Sequence, residues 1–217
     1  MSLWQQIRSD IREHTGVDVG ANVGRGVGGG CISQAFRLEG EGRAFFVKTH
    51  RAELLDMFEA EAEGLNEIVV SNSVRAPAPV CWGVAGGHCY LVMEYLEFGR
   101  GRGRSAAATL GEQLARMHRT TRGAFGWHRD NTIGSTPQIN RPQDSDWIAF
   151  WRDKRLGFQL ELAGRQGHGG ELQRLGAQLM DRFPVLFVDY APVPSLLHGD
   201  LWAGNHAVLE SGEPVIF

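Results

Sequence analysis

Near the end of the chain runs His198-Gly199-Asp200-Leu201-Trp202-Ala203-Gly204-Asn205. An Asp preceded by His-Gly and followed five positions later by an Asn suits phosphoryl transfer. The carboxylate can take the proton of an attacking hydroxyl, and the amide oxygen can hold a Mg²⁺ ion on the same side of a short loop. His198 is expected to brace the loop by hydrogen bonds rather than carry protons, facing the substrate side with Trp202. Trp202 has a plain reading as a core aromatic and a sharper one as a wall for a sugar ring. Indole faces suit the C–H face of a sugar and attract an amine.

Such a loop needs partners that hold phosphates and neutralise their charge. Gly28-Gly29-Gly30 could lie over phosphates, because bare backbone N–H groups bind anions where no side chain intrudes; a plain turn is the alternative. No G-x-x-x-x-G-K-[ST] run occurs, which excludes a P-loop. Lys48 ends the apolar run Phe45-Phe46-Val47, eighteen residues after Gly30. It can reach phosphates if a carboxylate fixes its ammonium. Glu61 shares a helical stripe with Met57, Ala60, Gly64, Leu65 and Ile68, whereas Glu59 and Glu63 lie off it, so Glu61 is the expected partner. Met93-Glu94-Tyr95-Leu96 closes a strand and opens a connector, where backbone groups could meet adenine.

The elements that must position these residues follow from periodicity and turn residues. Helices are expected over 3–14, 57–69, 106–118, 145–163 and 170–181. Hairpins are expected from 32–38 with 44–48 and from 80–84 with 90–94, and a last pair of short strands after Asn205. The Gly-, Asn- and Pro-rich stretch 122–143 reads as a long loop. The result is an α+β chain: a strand-rich segment over 1–96 for nucleotide, then a mostly helical one over 97–217. Arg100, Arg102 and Arg104 alternate with glycine and read as solvated linker. With 42 % hydrophobic and 22 % charged residues and a net charge of -3, the 217-residue chain has the balance of a soluble domain and no basic field for nucleic acid. No apolar run approaches the roughly 20 residues that span a bilayer, and Met1 to Gln6 lack signal-peptide character. Cys31, Cys81 and Cys89 form neither a disulfide framework nor a zinc site, and the eight histidines show no ligand spacing. A cytoplasmic protein is expected, with no nucleic-acid or membrane partner.

Leu196 to Asn205 resembles the signature of the fructosamine-3-kinase, or ketosamine-3-kinase, family, in the aminoglycoside-phosphotransferase-like branch of the protein-kinase fold. The likeness extends to Gly28 to Ser33, Phe46-Val47-Lys48, Glu61 to Leu65, Phe125-Gly126-Trp127, Gly134 to Asn140 and Trp147 to Leu156. It spans essentially the whole chain. It implies a bilobal protein-kinase-like fold and ATP-dependent phosphorylation of the 3-hydroxyl of ketosamines, the fructosamine or ribulosamine adducts that glycation leaves on protein lysines. The phosphorylated adduct is unstable, so the step amounts to deglycation repair. By the same resemblance Asp200 is the base and Asn205 the Mg²⁺ ligand. Lys48, Glu61 and Gly28 to Gly30 serve the phosphates, Met93 to Leu96 hold adenine, and Trp202 lines the ketosamine pocket. The block from Phe125 to Asn140 would lie toward the substrate.

Two features qualify this reading. The family continues after Val215-Ile216-Phe217 with a metal-binding Asp. Without it weak phosphotransfer is expected, and without the helices that follow it apolar surface is expected to lie open beside Leu209, Val215, Ile216 and Phe217. Cys31, beside the glycines, could link two chains or switch nucleotide binding with redox state; Cys81 and Cys89 are expected to be inert. The competing readings are a kinase of another small compound, such as an aminoglycoside or choline, and a nucleotide-binding pseudokinase without turnover.

Overall fold

The computed structural model describes residues 1–20, 25–26, 33–99 and 104–217. Gly28 to Gly30, Cys31, Arg100 and Arg102 lie outside the described residues. Contacts divide the chain into two compact units, Met1–His118 with Leu197–Phe217, and Arg119–Leu196.

The first unit is built on a five-stranded antiparallel sheet, in the order β1 (Arg25–Gly26), β2 (Gln34–Gly40), β3 (Arg43–Arg51), β5 (His88–Glu94), β4 (Pro79–Ala85). β5 has neighbours on both sides, and its run from Cys89 to Met93 is buried on both faces. That explains why it reads as continuous apolar sequence rather than as an alternation. β3 alternates instead, with Phe45, Val47 and Thr49 buried and Phe46, Lys48 and His50 half-buried on the other face. The first face packs on helix α1 (Leu3–Thr15), whose Ile7 and Ile11 join Phe45, Val47, Tyr90 and Val92 in one core cluster.

α1 starts in a capping box between Ser2 and Gln5 and ends at Gly16, where φ is +76°. It is pinned to the sheet by the Tyr90 hydroxyl, which donates to Asp10, while Gln6 donates to the same carboxylate at 2.7 Å. Gly83 is needed opposite, since a Cβ there would stand 2.8 Å from the Tyr90 oxygen. Helix α2 (Leu55–Ser71) presents Phe58, Ala60, Ala62, Leu65 and Ile68 to the interior. Phe58 and Ala62 were not on the stripe expected from periodicity.

Helix α3 (Arg104–Met117) follows, and the unit is completed by a short hairpin of β8 (His206–Val208) and β9 (Pro214–Ile216). The hairpin corrects one expectation. Val215 and Ile216 are not open apolar surface; both are fully buried. β9 pairs with β8 on one side and makes a parallel bridge from Val215 to Arg75 on the other, and Phe217 stacks on Phe98 at 5.0 Å. The exposed apolar residues of this segment are Leu197, Leu201 and Trp202 instead.

The second unit closes on itself where its ends meet: Leu196 N–H donates to Thr120 C=O and Arg122 N–H to Pro194 C=O, at 2.8 and 2.9 Å. The expected long loop contains a small hairpin, β6 (Asn131–Ile133) with β7 (Thr136–Gln138). Helix α4 (Trp147–Trp151), capped by Asp146, runs through a wider π turn over Arg152–Gly157 into α5 (Phe158–Arg165), and α6 (Glu171–Arg182) follows. Among the described residues no helix is long and apolar enough to cross a membrane. The buried thiols of Cys81 and Cys89 are free. Burial pushes Cys81 up to about 12 and raises Cys89 as well, so neither supplies a thiolate at neutral pH.

Candidate active site

The sheet and the final hairpin of the first unit carry the candidate residues. Lys48 points away from the α1 face, and its Nζ lies 2.5 Å from Glu61 Oε1 on α2. Both side chains are 29 % exposed, enough to hold the ammonium in one place while leaving it accessible to an anion. Two residues further along the pairing, Phe46 stands opposite Met93 and Phe45 opposite Glu94. The strand that carries Lys48 therefore runs alongside the segment Met93-Glu94-Tyr95-Leu96.

That segment is more committed internally than its sequence suggests. Glu94 N–H donates to Ala78 C=O at 2.9 Å and Tyr95 N–H to Ala44 C=O at 3.3 Å, so neither N–H is free for a base. The Glu94 carboxylate takes the Arg75 guanidinium and the Ala78 N–H. The Tyr95 ring lies under the Arg37 guanidinium at 4.3 Å.

The loop from His198 to Asn205 is held from within. Asn205 Nδ2 donates to the Asp200 carbonyl at 2.7 Å and to its carboxylate at 3.1 Å. That leaves Asn205 Oδ1 as the atom with which the amide can meet a cation. The Asp200 carboxylate itself is exposed. Trp202 is 62 % exposed, so the core-aromatic reading does not describe it. Its indole lies across Gly204, where a Cβ would come within 2.4 Å of the ring. Any larger residue at 204 would push the indole out of this position.

His198 joins the two ends of the hairpin. The Asp200 N–H donates to His198 Nδ1 at 3.3 Å. A backbone N–H can only donate, so Nδ1 is unprotonated and Nε2 carries the hydrogen that reaches Phe217 C=O at 3.3 Å. Burial lowers the His198 pKa from its ordinary 6.5, against the opposing pull of the Phe217 carbonyl and the Asp200 charge. The linkage has a definite sign. The neutral ring is favoured by the fold, so its contribution is present above about pH 6.5 and is lost as pH falls through the lowered folded value. Protection of the amides at 199–205, with the intrinsic pH dependence of exchange divided out, should therefore fall on acidification through that interval. In His198→Ala exchange should already be fast at pH 7.5 and should lack the acid-side step; a step of undiminished size in the variant would remove His198 as its source.

The second unit holds the block expected toward the substrate. Trp127, His128, Asp130, Arg141 and Pro142 line an open surface hollow. Beneath it Asn140, only 4 % exposed, forms a hub. Its Nδ2 donates to Arg129 C=O and Asn131 Oδ1 at 3.0 and 2.9 Å, and its Oδ1 receives the Arg155 guanidinium at 2.6 Å. Burial opposes ionisation of Asp130, but N–H donors from Asn140 and Arg141 and the charges of Arg141 and Lys154 outweigh it and hold the carboxyl below its usual range. Nothing in the local pattern marks Asn140 as a hub or Arg155 as its partner beyond their places in the two blocks of family likeness.

Among the described residues no group of three or more His, Cys, Asp or Glu side chains converges in a way that could hold a metal. A cation here would depend on oxygens brought by the ligand.

The comparisons with known proteins cover nearly the whole chain. The model of the family described as fructosamine kinase matches residues 3–217. A Synechocystis protein named as a probable ketoamine kinase is 42 % identical over 214 residues, covering 98 % of this chain and 71 % of its own length. A chloroplastic protein-ribulosamine 3-kinase of Arabidopsis thaliana is 45 % identical over 193 residues, covering 88 % of this chain but 58 % of its own length. A solved Haemophilus somnus structure, provisionally named a fructosamine-3-kinase, superposes with a TM-score of 0.86 at 24 % identity, over 98 % of this chain and 70 % of that one. An aminoglycoside phosphotransferase in a ternary complex with ADP and hygromycin B shares the fold alone, at 13 % identity and a TM-score of 0.61 over 98 % of this chain and 70 % of that one.

Proposed function

Since this chain belongs to the fructosamine kinase family, with its protein-kinase-like fold, we propose that it serves ATP-dependent phosphorylation of a ketosamine, a fructosamine or ribulosamine adduct of a lysine side chain, at its 3-hydroxyl. The observation that carries the reading is the Lys48–Glu61 pair on the sheet, in the same compact unit as a loop that pairs Asp200 with Asn205 and displays Trp202.

The roles follow from chemistry. Lys48, fixed by Glu61, meets the phosphates. The exposed Asp200 carboxylate accepts the hydroxyl proton as the hydroxyl oxygen attacks the terminal phosphorus and ADP leaves. Asn205 Oδ1 is a hard oxygen donor left free by the bonds of Nδ2, which suits Mg²⁺, a cation that takes few protein ligands and completes its shell with phosphate oxygens and water. Bound there, Mg²⁺ would neutralise charge on the phosphates. Trp202 offers an indole face to the sugar and its amine. Adenine would lie along Met93 to Leu96, with Gly28 to Gly30 over the phosphates. We assign residues 1–96 to the nucleotide and 97–217 to substrate and catalysis. The phosphorylated adduct would then break down and return the free lysine, a deglycation repair. Two free buried cysteines are in keeping with a reducing compartment such as the cytoplasm.

The test is a substrate panel with ATP and Mg²⁺, read by phosphorus NMR and by release of free amine. Ribulosyl-lysine or fructosyl-lysine should be phosphorylated, and choline and aminoglycosides should not. Transfer to choline or an aminoglycoside with none to either ketosamine would overturn the substrate assignment. In parallel, Lys48→Met should weaken ATP binding about tenfold or more in a calorimetric titration; unchanged affinity would remove Lys48 from the phosphate site.

A further inference from the structure

We infer that Arg75 is a positioning residue that ties the nucleotide-side strand to the catalytic loop; the inference rests on the functional reading of that loop. Arg75 sits between α2 and β4 and serves neither element. Its backbone belongs to the final hairpin: Arg75 bridges Val215 in parallel, and Ile216 N–H donates to Arg75 C=O at 3.0 Å. Its side chain belongs to the sheet. One guanidinium nitrogen pairs with Glu94, the last residue of β5, and the other donates to Ala76 C=O at 2.8 Å. Glu94 is itself fixed, since its N–H and its second carboxylate oxygen both engage Ala78.

From Ile216 the connection continues without a gap. Phe217 N–H donates to Asn205 C=O at 3.1 Å, and Phe217 C=O accepts from His198. His198 accepts the Asp200 N–H, and Asn205 donates to Asp200. One residue therefore stands between the strand end assigned to adenine and the loop that carries the base. A second strap joins the same regions through backbone alone, with Gly99 N–H donating to Val208 C=O at 2.8 Å and Phe98 bridging Leu209. That strap enters at the far end of the hairpin, beside β8. At the β9 end Arg75 supplies the backbone bridge and hydrogen bond, beside the stack of Phe98 on Phe217, and this is the end that holds the loop. Group transfer is sensitive to such placement, because a shift of about 1 Å in a reacting group can cost on the order of a hundredfold in rate.

Arg75 touches neither nucleotide nor acceptor in this account, so its removal should separate rate from binding. In Arg75→Met, kcat should fall about tenfold or more while KM for ATP moves less than about threefold. Amide exchange at 198–206 should quicken while exchange in β2 and β3 stays as in the wild type. Arg75→Lys, which keeps a charge for Glu94 but loses the second donor, should recover part of kcat. The double variant with Glu94→Gln should be no slower than Arg75→Met alone, as expected for two residues acting through one contact. A merely structural ion pair would lower the melting temperature and leave kcat and the exchange at 198–206 unchanged, and that result overturns the inference. If the wild-type chain neither binds nucleotide nor transfers phosphate, the functional reading falls by itself, and unchanged exchange at 198–206 in Arg75→Met would still refute the tie.

Discussion

Asp200→Asn is expected to reduce phosphotransfer by about two to four orders of magnitude, the usual worth of a positioned general base. The substitution is a clean one here because of how the loop is built. Asn205 Nδ2 reaches both the carbonyl and the carboxylate of residue 200, and an amide oxygen at 200 can still accept that second bond. The Asp200 N–H that anchors His198 is backbone and is untouched. What disappears is the charge and the proton affinity of the carboxylate. Affinity for ATP without metal should stay within about threefold, and the melting temperature within about 2 °C, because the side chain is exposed and surface changes usually cost under about 0.5 kcal/mol. Single-turnover measurements with a ketosamine would check the rate. A variant that keeps more than a tenth of wild-type turnover would show that some other group takes the proton. An accompanying collapse in stability would instead make Asp200 a structural residue.

How much of this was legible in the chain depends on the kind of signal. The sheet could be read because β2, β3, β4 and β5 keep alternating or continuous apolar patterns between Gly-rich turns, and the antiparallel hairpins lie where those turns are. Glu61 could be chosen over Glu59 and Glu63 because helical geometry puts one residue in four on a given face, and the Lys48 contact is to Glu61. Local pattern says little about contacts that close over long stretches of chain. Nothing at Arg75 marks it as the meeting point of Glu94 and Ile216, one nineteen residues later and the other far beyond that. The burial of Val215 and Ile216 was missed for the same reason. A three-residue strand has no periodicity to read, and what covers it comes from the Arg75 segment and α3. The Trp202 position was half legible: its type suggested a sugar wall, but the close approach of its indole to Gly204 is a turn of the backbone that no periodicity records.

The second large effect is expected at Asn140, where the same motif carries a different meaning from the one its sequence suggested. Asn140→Ala should destabilise the second unit by about 3 kcal/mol. The change removes three part-buried side-chain hydrogen bonds, to Arg129 C=O, Asn131 Oδ1 and the Arg155 guanidinium, each worth about 1 kcal/mol. For a chain of this size melting as one that corresponds to a fall of roughly 6–12 °C in its melting temperature. Asn140→Asp divides the hub into its two halves. It keeps an acceptor for Arg155, now charged, but cannot donate to Arg129 and Asn131, so its loss should be smaller than that of Asn140→Ala and still clearly measurable. Calorimetry on both variants checks the ordering, and melting temperatures within about 2 °C of wild type for both would dismiss the hub. Gly126 belongs to the same construction: it adopts φ +96°, and a Cβ there would stand 2.4 Å from the Asn140 carbonyl oxygen. The Phe125 to Asn140 block therefore contains residues that the fold itself requires, the glycine for close approach and the asparagine for its three bonds. The side chains above the hub that line the hollow are those of Trp127, His128 and Arg141, with Asp130, Pro142 and Gln143.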